Sequence, residues 1–133
     1  MELYTSYWKN QGLANLDVIP VGISRGAHRG RWGKNLPYRW KRLAALYPSK
    51  NLLERWTTKT ITPEEYTLVY RSYLDSLGPE EVKSRLEKKS VDNGGKALAL
   101  LCFCEPGAFC HRRAWADWYH ERTGQEVQEM PAA

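Results

Sequence analysis

The stretch Leu98-Ala-Leu-Leu-Cys-Phe-Cys-Glu-Pro-Gly-Ala-Phe-Cys-His-Arg-Arg113 joins an apolar run to a helix-like pattern, and it contains all three cysteines of the chain. Apolar side chains occupy both alternating faces of the run, which predicts a strand covered on both sides. In open α/β sheets, ligands bind where a strand ends and the following helix begins. We therefore expect any functional site of this chain to lie at this junction.

Hydrophobic patterning on either side of the junction predicts an α/β protein. Strands are expected at 3–8, 17–24, 96–104 and 126–130. Helices are expected at 36–47, at 62–78 after a capping box, at 79–93 and at 108–122. This order predicts an open, mostly parallel sheet of about four strands with helices on both faces, a Rossmann-like three-layer sandwich.

Length and composition indicate a single soluble domain spanning residues 1–133. The chain is 42% hydrophobic and 26% charged, as is usual for soluble globular proteins. Its longest apolar run, 97–104, is far shorter than the roughly 18 residues that a membrane helix needs, and we expect no signal peptide. Three cysteines do not form a typical disulfide framework, so we expect reduced thiols, a cytoplasmic location and no membrane partner.

The net charge of +5 is concentrated between residues 25 and 42. This segment contains seven basic residues and no acidic ones, namely Arg25, Arg29, Arg31, Lys34, Arg39, Lys41 and Arg42. His28, Trp32, Tyr38 and Trp40 are interleaved with them. One interpretation is a nucleic-acid-binding segment in which Arg29, Arg31 and Lys34 contact phosphates and the aromatic rings stack on bases. The other is a solvated basic surface whose aromatic rings turn inward to the core.

Cys110 is the strongest candidate for a reactive group. It is expected in the first turn of the last helix, where unpaired backbone N–H groups and the helix dipole favour negative charge. Positive charge nearby lowers the pKa of a thiol, so Cys110 is a candidate nucleophile with His111 as acid or base. The alternatives are a small buried cysteine and a histidine that binds a backbone carbonyl.

The same helix N-terminus is a candidate anion site. Backbone N–H groups there point toward a bound phosphate or carboxylate. A neighbouring arginine can hold such an anion with two parallel hydrogen bonds, and Arg112 or Arg113 is placed to do so.

The spacing of the sulfur and imidazole ligands argues against a metal site. Cys102, Cys104, Cys110 and His111 supply four candidate ligands, but not in the pairs separated by two to four residues that zinc sites use. Cys110 and His111 are also adjacent on the expected helix, where successive side chains diverge by about 100°. We therefore predict no metal cofactor and keep zinc as an open alternative.

The junction resembles the domain of unknown function 488 family. That family has a strand ending in Leu-Leu-Cys, seven further residues, and then Cys-His-Arg at the start of a helix. Leu100–Cys102 and Cys110-His111-Arg112 match this pattern, and further similarity lies at 23–25, 43–48, 52–53 and 61–66. The resemblance implies an α/β fold with a polar pocket formed by Cys102, Cys110, His111 and Arg112.

One position departs from the family pattern. The family usually has glutamate two residues after its first cysteine, where this chain has Cys104, with Glu105 following. A role for that carboxylate as a base is therefore not carried over to this chain.

Three functions are compatible with the sequence. The first is an enzyme that acts on a phosphate-bearing nucleotide or nucleic acid. It would use Cys110, His111 and Cys102 for chemistry, and Arg112, Arg25 and Ser24 for anion binding. The second is a non-catalytic nucleic-acid or nucleotide-binding module that uses segment 25–42. The third is a small metal-supported structural module.

Overall fold

The computed structural model describes residues 1–24, 36–103 and 109–131. Its strands are β1 (Leu3–Tyr7), β2 (Val18–Gly22), β3 (Lys41–Arg42), β4 (Ala97–Cys102) and β5 (Gln128–Glu129). Its α-helices are α1 (Lys50–Thr57), α2 (Pro63–Leu77), α3 (Pro79–Val91) and α4 (His111–Thr123). Two 3₁₀ helices, Gln11–Asn15 and Ala44–Leu46, complete the regular elements of the described residues.

The five strands form one parallel sheet in the order β3-β2-β4-β1-β5. Tyr7 of β1 is level with Cys102 of β4, and Gly22 of β2 is level with Leu101. The carboxyl ends of the three central strands therefore meet at one edge of the sheet. The predicted α/β, Rossmann-like architecture is confirmed, with one strand more than the sequence indicated.

Both faces of the sheet are covered, but by different elements. Leu98 and Leu100 pack into a large core to which every described α-helix contributes. Ala99 and Leu101 pack on the opposite face against Trp8 and the first 3₁₀ helix. The predicted alternation along β4 is therefore confirmed. A few large aromatic rings and one short helix suffice for the second face, because each such ring buries on the order of 150–250 Å².

Local capping signals place the ends of the helices. Thr62 Oγ1 accepts a hydrogen bond from Glu65 N at 3.1 Å, and Glu65 Oε1 accepts one from Thr62 N at 3.0 Å, so the predicted capping box is present. Helix α1 was not predicted, although Ser49 caps it by accepting a hydrogen bond from Leu52 N at 3.1 Å. None of the described helices is long and apolar enough to cross a membrane.

The helix predicted at 36–47 is wrong. Lys41–Arg42 pairs with β2, and Leu43 N donates to Gly22 O at 3.0 Å, so this stretch extends the sheet. Tyr38 and Trp40 are two residues apart, and both pack against Trp8 on the second face. Their inward period is thus two, as in a strand, whereas the predicted helix requires a period of 3.6.

Candidate functional site

The topology creates a crevice between the ends of β2 and β4. The chain leaves β2 toward the edge strand β3, and it leaves β4 toward the opposite edge strand β5. Ligands in open α/β sheets bind at such a reversal of strand order. A cavity of about 210 Å³ lies there, lined by Ser24 after β2, by Phe103 after β4, and by Cys110 and His111 at the start of α4.

Three aromatic rings form the apolar wall of this cavity. Trp56 of α1, Tyr66 of α2 and Phe109 contact one another edge to face. Their ring centroids are 5.5 Å (Trp56–Tyr66), 5.0 Å (Trp56–Phe109) and 5.4 Å (Tyr66–Phe109) apart. Phe103 is partly exposed and also lines the cavity. A wall of this kind accepts a flat apolar group and fixes its orientation.

Cys110 is the N-cap of α4 and lies outside its first turn. Its backbone is extended, with φ −151° and ψ 145°, and its side chain makes no capping hydrogen bond. The expectation that Cys110 and His111 diverge on one helix is therefore wrong. The extended residue brings Cys110 Sγ to 4.0 Å from His111 Nδ1.

A backbone carbonyl just after the end of β2 holds the His111 ring in one orientation. Its Nε2 lies 2.7 Å from Ile23 O, and because a carbonyl only accepts, Nε2 is the donor. Its ring contacts Tyr70 edge to face, with centroids 5.4 Å apart. Burial lowers the pKa of His111 to about 4, so the imidazole is neutral near pH 7 and Nδ1 presents a lone pair on the side of Cys110.

Cys102 and Cys110 form a disulfide in the structure. Reduced thiols were expected for all three cysteines, and that expectation is wrong for this pair. The count of cysteines did not reveal that the end of β4 and the N-cap of α4 meet in space. Cys102 is fully buried, whereas Cys110 lines the cavity, so the disulfide joins the cavity wall to the core.

Arg112 is buried beneath the cavity and is not part of its lining. Its Nε and Nη2 donate to the carboxylate of Glu129 at 3.0 and 2.8 Å, and its Nη1 lies 3.0 Å from Cys102 Sγ. Thr5 Oγ1 also donates to Glu129, at 2.6 Å. Partial burial raises the pKa of Glu129, but the hydrogen bonds and charge of Arg112 outweigh it and leave the pKa below its usual value.

Arg113, the other candidate anion clamp of α4, also binds protein groups. Its Nη1 donates to Thr5 Oγ1 at 2.7 Å and to Val127 O at 3.0 Å. Sequence reasoning did not single out Glu129 or Thr5, because neither lies in a recognisable motif. Only the pairing of β5 with β1 brings both residues beneath α4.

The other predicted site residues divide into described and undescribed ones. Ser24 is buried, and its Oγ accepts a hydrogen bond from Trp8 Nε1 at 2.9 Å. Because Trp8 supplies that hydrogen, the Ser24 hydroxyl can donate its own to a molecule in the cavity. Several predicted residues lie outside the described residues: Arg25, Arg29, Arg31, Lys34, Cys104 and Glu105.

The described part of the basic segment supports an inward orientation of its aromatic rings. Tyr38 donates to Trp8 O, and Trp40 contacts the Trp8 ring at a centroid distance of 5.2 Å. Arg39, Lys41 and Arg42 are exposed at the sheet edge formed by β3. The three basic side chains are therefore exposed to solvent, while the rings of Tyr38 and Trp40 pack into the core on the second face of the sheet.

The chain matches one family model over most of its length. This model, DUF488-N3a, is described as the active DUF488-N3 subclade and covers residues 9–123, including the whole β4–α4 junction. No curated protein and no solved structure matches the chain.

Proposed function

Since the chain belongs to the DUF488 family, within the branch described as the active DUF488-N3 subclade, we propose that its strand-end cavity is the active site of an enzyme. The proposed substrate is a phosphate-bearing nucleotide or nucleic acid. The observation that carries this proposal is the pairing of an aromatic wall with the polar groups of Ser24, Cys110 and His111 at the crevice between β2 and β4.

The size of the cavity supports binding of one ring of the substrate. At about 210 Å³ it is smaller than the roughly 300 Å³ at which drug-sized sites begin. The aromatic wall would therefore hold a nucleobase, leaving the sugar and phosphate at the mouth. Stacking on aromatic side chains is sequence-tolerant because every base has a flat π-face.

Cys110 and His111 are the proposed reacting groups. Both line the cavity, and their Sγ and Nδ1 atoms are 4.0 Å apart. Cys110 can act as a thiol only after the disulfide with Cys102 has been reduced. Cys102 lies behind it, away from the cavity lining, so its proposed role is to form or release that disulfide and not to contact substrate.

Phosphate binding is not assigned to Arg112 in this proposal. Its side chain is buried, and its charge is matched by the partly exposed Glu129. The predicted contact from Arg25 is retained. The exposed Lys41 and Arg42 form β3 and lie level with Val21 and Gly22, at the carboxyl end of β2 that opens to the cavity. The cytoplasmic location expected from the sequence is kept as part of the proposal.

Binding of nucleoside monophosphates to the reduced protein tests the proposal. Titration calorimetry with purine and pyrimidine monophosphates should give saturable binding. Trp56→Leu should weaken it by about tenfold, since a stacked base contributes on the order of 1–3 kcal/mol. Ser24→Ala should also weaken it, whereas Ser76→Ala, an exposed serine of α2, should not. Equal affinities for Trp56→Leu and the unmodified protein would exclude the aromatic cavity as the base site.

A non-catalytic nucleic-acid-binding module is the second candidate. The exposed row Arg39, Lys41 and Arg42 on the edge of the sheet favours it. Oligonucleotide affinity should then fall with salt and with reversal of these three charges to glutamate. Reversal at Lys83, Lys88 and Lys89 of α3 provides the matched control. This function predicts that Trp56→Leu leaves affinity unchanged, which separates it from the first candidate.

A further inference from the structure

Three side chains that can ligate a metal converge at the wall of the cavity. The ligand atoms of Cys102, Cys110 and His111 lie within 4.8 Å of one another, and all three residues are buried. In a tetrahedral zinc site with Zn–S near 2.3 Å and Zn–N near 2.0 Å, neighbouring ligand atoms are about 3.5–3.8 Å apart. The separation of 4.0 Å between Cys110 Sγ and His111 Nδ1 is close to this value.

The hydrogen bond of His111 prepares its other nitrogen for a metal. Histidines that ligate zinc usually donate their second ring nitrogen to a carboxylate or a backbone carbonyl, which fixes the tautomer and ring orientation. Nε2 of His111 makes such a bond to Ile23 O at 2.7 Å. Nδ1 therefore carries the lone pair, and it is the nitrogen that lies beside the cysteine sulfurs.

The charges around the cluster also suit a divalent ion. Two thiolates and a neutral imidazole neutralise one Zn²⁺, so the site adds no net charge to the interior. The nearby guanidinium of Arg112 is already matched by Glu129, with Nη2 and Oε2 2.8 Å apart. A buried group of charges is tolerated when every member is paired in this way.

We propose that Cys102 Sγ, Cys110 Sγ and His111 Nδ1 bind one zinc ion when the two cysteines are reduced. Thiolate and imidazole ligands in tetrahedral geometry are typical of zinc. Cys110 and His111 line the cavity and Cys102 does not, so the side of the cluster away from Cys102 faces the cavity. A site with three protein ligands and one position open to a cavity has the form of a catalytic zinc centre.

The zinc form and the disulfide form exclude each other. Reduction by a dithiol breaks the Cys102–Cys110 bond: the disulfide takes up two electrons and two protons, and the dithiol becomes a cyclic disulfide. Zinc then displaces the two thiol protons to solvent. The site thus exists only in the reduced protein. In the zinc form Cys110 and His111 hold the ion, so they are not the free reacting groups of the function proposed above. This inference therefore does not depend on that chemistry or on the proposed substrate.

Cobalt titration of the full chain tests the site. The protein is reduced with dithiothreitol, desalted without oxygen and titrated with Co²⁺ and then Zn²⁺. We expect one Co²⁺ per chain, near-ultraviolet absorption from thiolate–cobalt charge transfer and the visible bands of four-coordinate cobalt, all abolished by one Zn²⁺. The untreated disulfide form should show none of them. Substoichiometric binding, or the weak spectrum of six-coordinate cobalt, would overturn the proposal.

Substitutions identify the ligands and separate this inference from the proposed function. Cys110→Ser and His111→Ala should each weaken cobalt binding by at least about tenfold. Cys104→Ser is the matched control and should bind cobalt normally. Trp56→Leu should also keep the metal even where nucleotide binding is lost. Unchanged binding by Cys110→Ser, or loss of binding by Cys104→Ser with its circular dichroism unchanged, contradicts the assignment.

Discussion

The ion pair of Arg112 and Glu129 fastens the N-terminus of α4 to β5 at the edge of the sheet. Arg112 is 1% exposed and donates to both carboxylate oxygens. Its third contact is the sulfur of Cys102, so the same guanidinium also fixes the cysteine end of β4. One buried side chain thereby holds together two of the elements that build the candidate site.

Glu129→Gln should lower the free energy of unfolding by about 2–3 kcal/mol at pH 7. Removing one member of a buried pair leaves the other charge uncompensated, and the expected cost lies at the lower end because Glu129 is partly exposed. Urea denaturation followed by circular dichroism measures it. The control is Glu121→Gln in the surface pair with Arg71, for which less than about 1 kcal/mol is expected. Equal losses of stability in Glu129→Gln and Glu121→Gln would show that the buried Arg112 does not depend on Glu129.

The same carboxylate should make stability depend on pH. The pKa of Glu129 is lower in the folded protein than in the unfolded chain, so the unfolded state binds more protons as the solution becomes acidic. Its contribution is present above the unfolded pKa of about 4.3 and is lost as pH falls through the folded value. Urea midpoints of the unmodified protein and Glu129→Gln should therefore converge as pH falls from about 4.3 through the lower pKa of the folded protein. A constant difference across this range would contradict the assignment.

At the scale of elements, the Trp8 ring packs directly on β2 from the second face of the sheet. A Cβ at Gly22 would lie 2.5 Å from Trp8 Cζ2, so only glycine lets the ring pack on this strand. Trp8 also donates to Ser24, which places the hydroxyl beside the cavity. The end of β2 is therefore positioned from the face opposite to the α-helices.

Gly22→Ala should destabilise the fold by roughly 1–3 kcal/mol, because the indole or the strand must shift to admit the methyl group. Thermal or urea unfolding measures the loss. Phenylalanine lacks the outer ring of the indole, which carries the obstructing Cζ2 and Cη2 atoms. In a Trp8→Phe background, Gly22→Ala should therefore cost less stability. Additive effects in this double-mutant cycle would show that Trp8 is not the obstacle.

Local sequence patterns predicted some elements well and failed at others for identifiable reasons. The capping box of α2 and the alternation along β4 depend on neighbouring residues, so both could be read from the chain. Segment 36–47 was assigned a helical period, but pairing with β2 and packing on Trp8 made it extended. Helix α1 is only eight residues long, and its Ser49 cap was the signal available.

At the scale of the whole molecule, the state of the Cys102–Cys110 pair couples the cavity to global stability. The disulfide closes a short loop, with a sequence separation of 8 between its cysteines. It links the central strand to the helix that carries the candidate site. The pair therefore affects the unfolded chain as well as the chemistry of the cavity.

Reduction should lower the free energy of unfolding by roughly 2–3 kcal/mol, because opening a loop of this size restores conformational entropy to the unfolded chain. Zinc should restore stability to the reduced protein, since an ion that binds only the folded state stabilises it by mass action. Melting temperatures of the disulfide, reduced and zinc-loaded forms measure both effects. A reduced protein that zinc does not stabilise would contradict the coupling, as would equal stability of the first two forms.

The sequence by itself determined the class of fold and the faces of β4, and it pointed to the strand-to-helix junction where the candidate site lies. These features depend on periodicity, capping and strand-to-helix transitions, all of which are local. Only the tertiary structure brought Trp56 and Tyr66 to Phe109, Glu129 to Arg112, and Cys102 to Cys110 and His111. Those contacts depend on which strands are neighbours and on how the helices pack across them, and no local pattern encodes that arrangement.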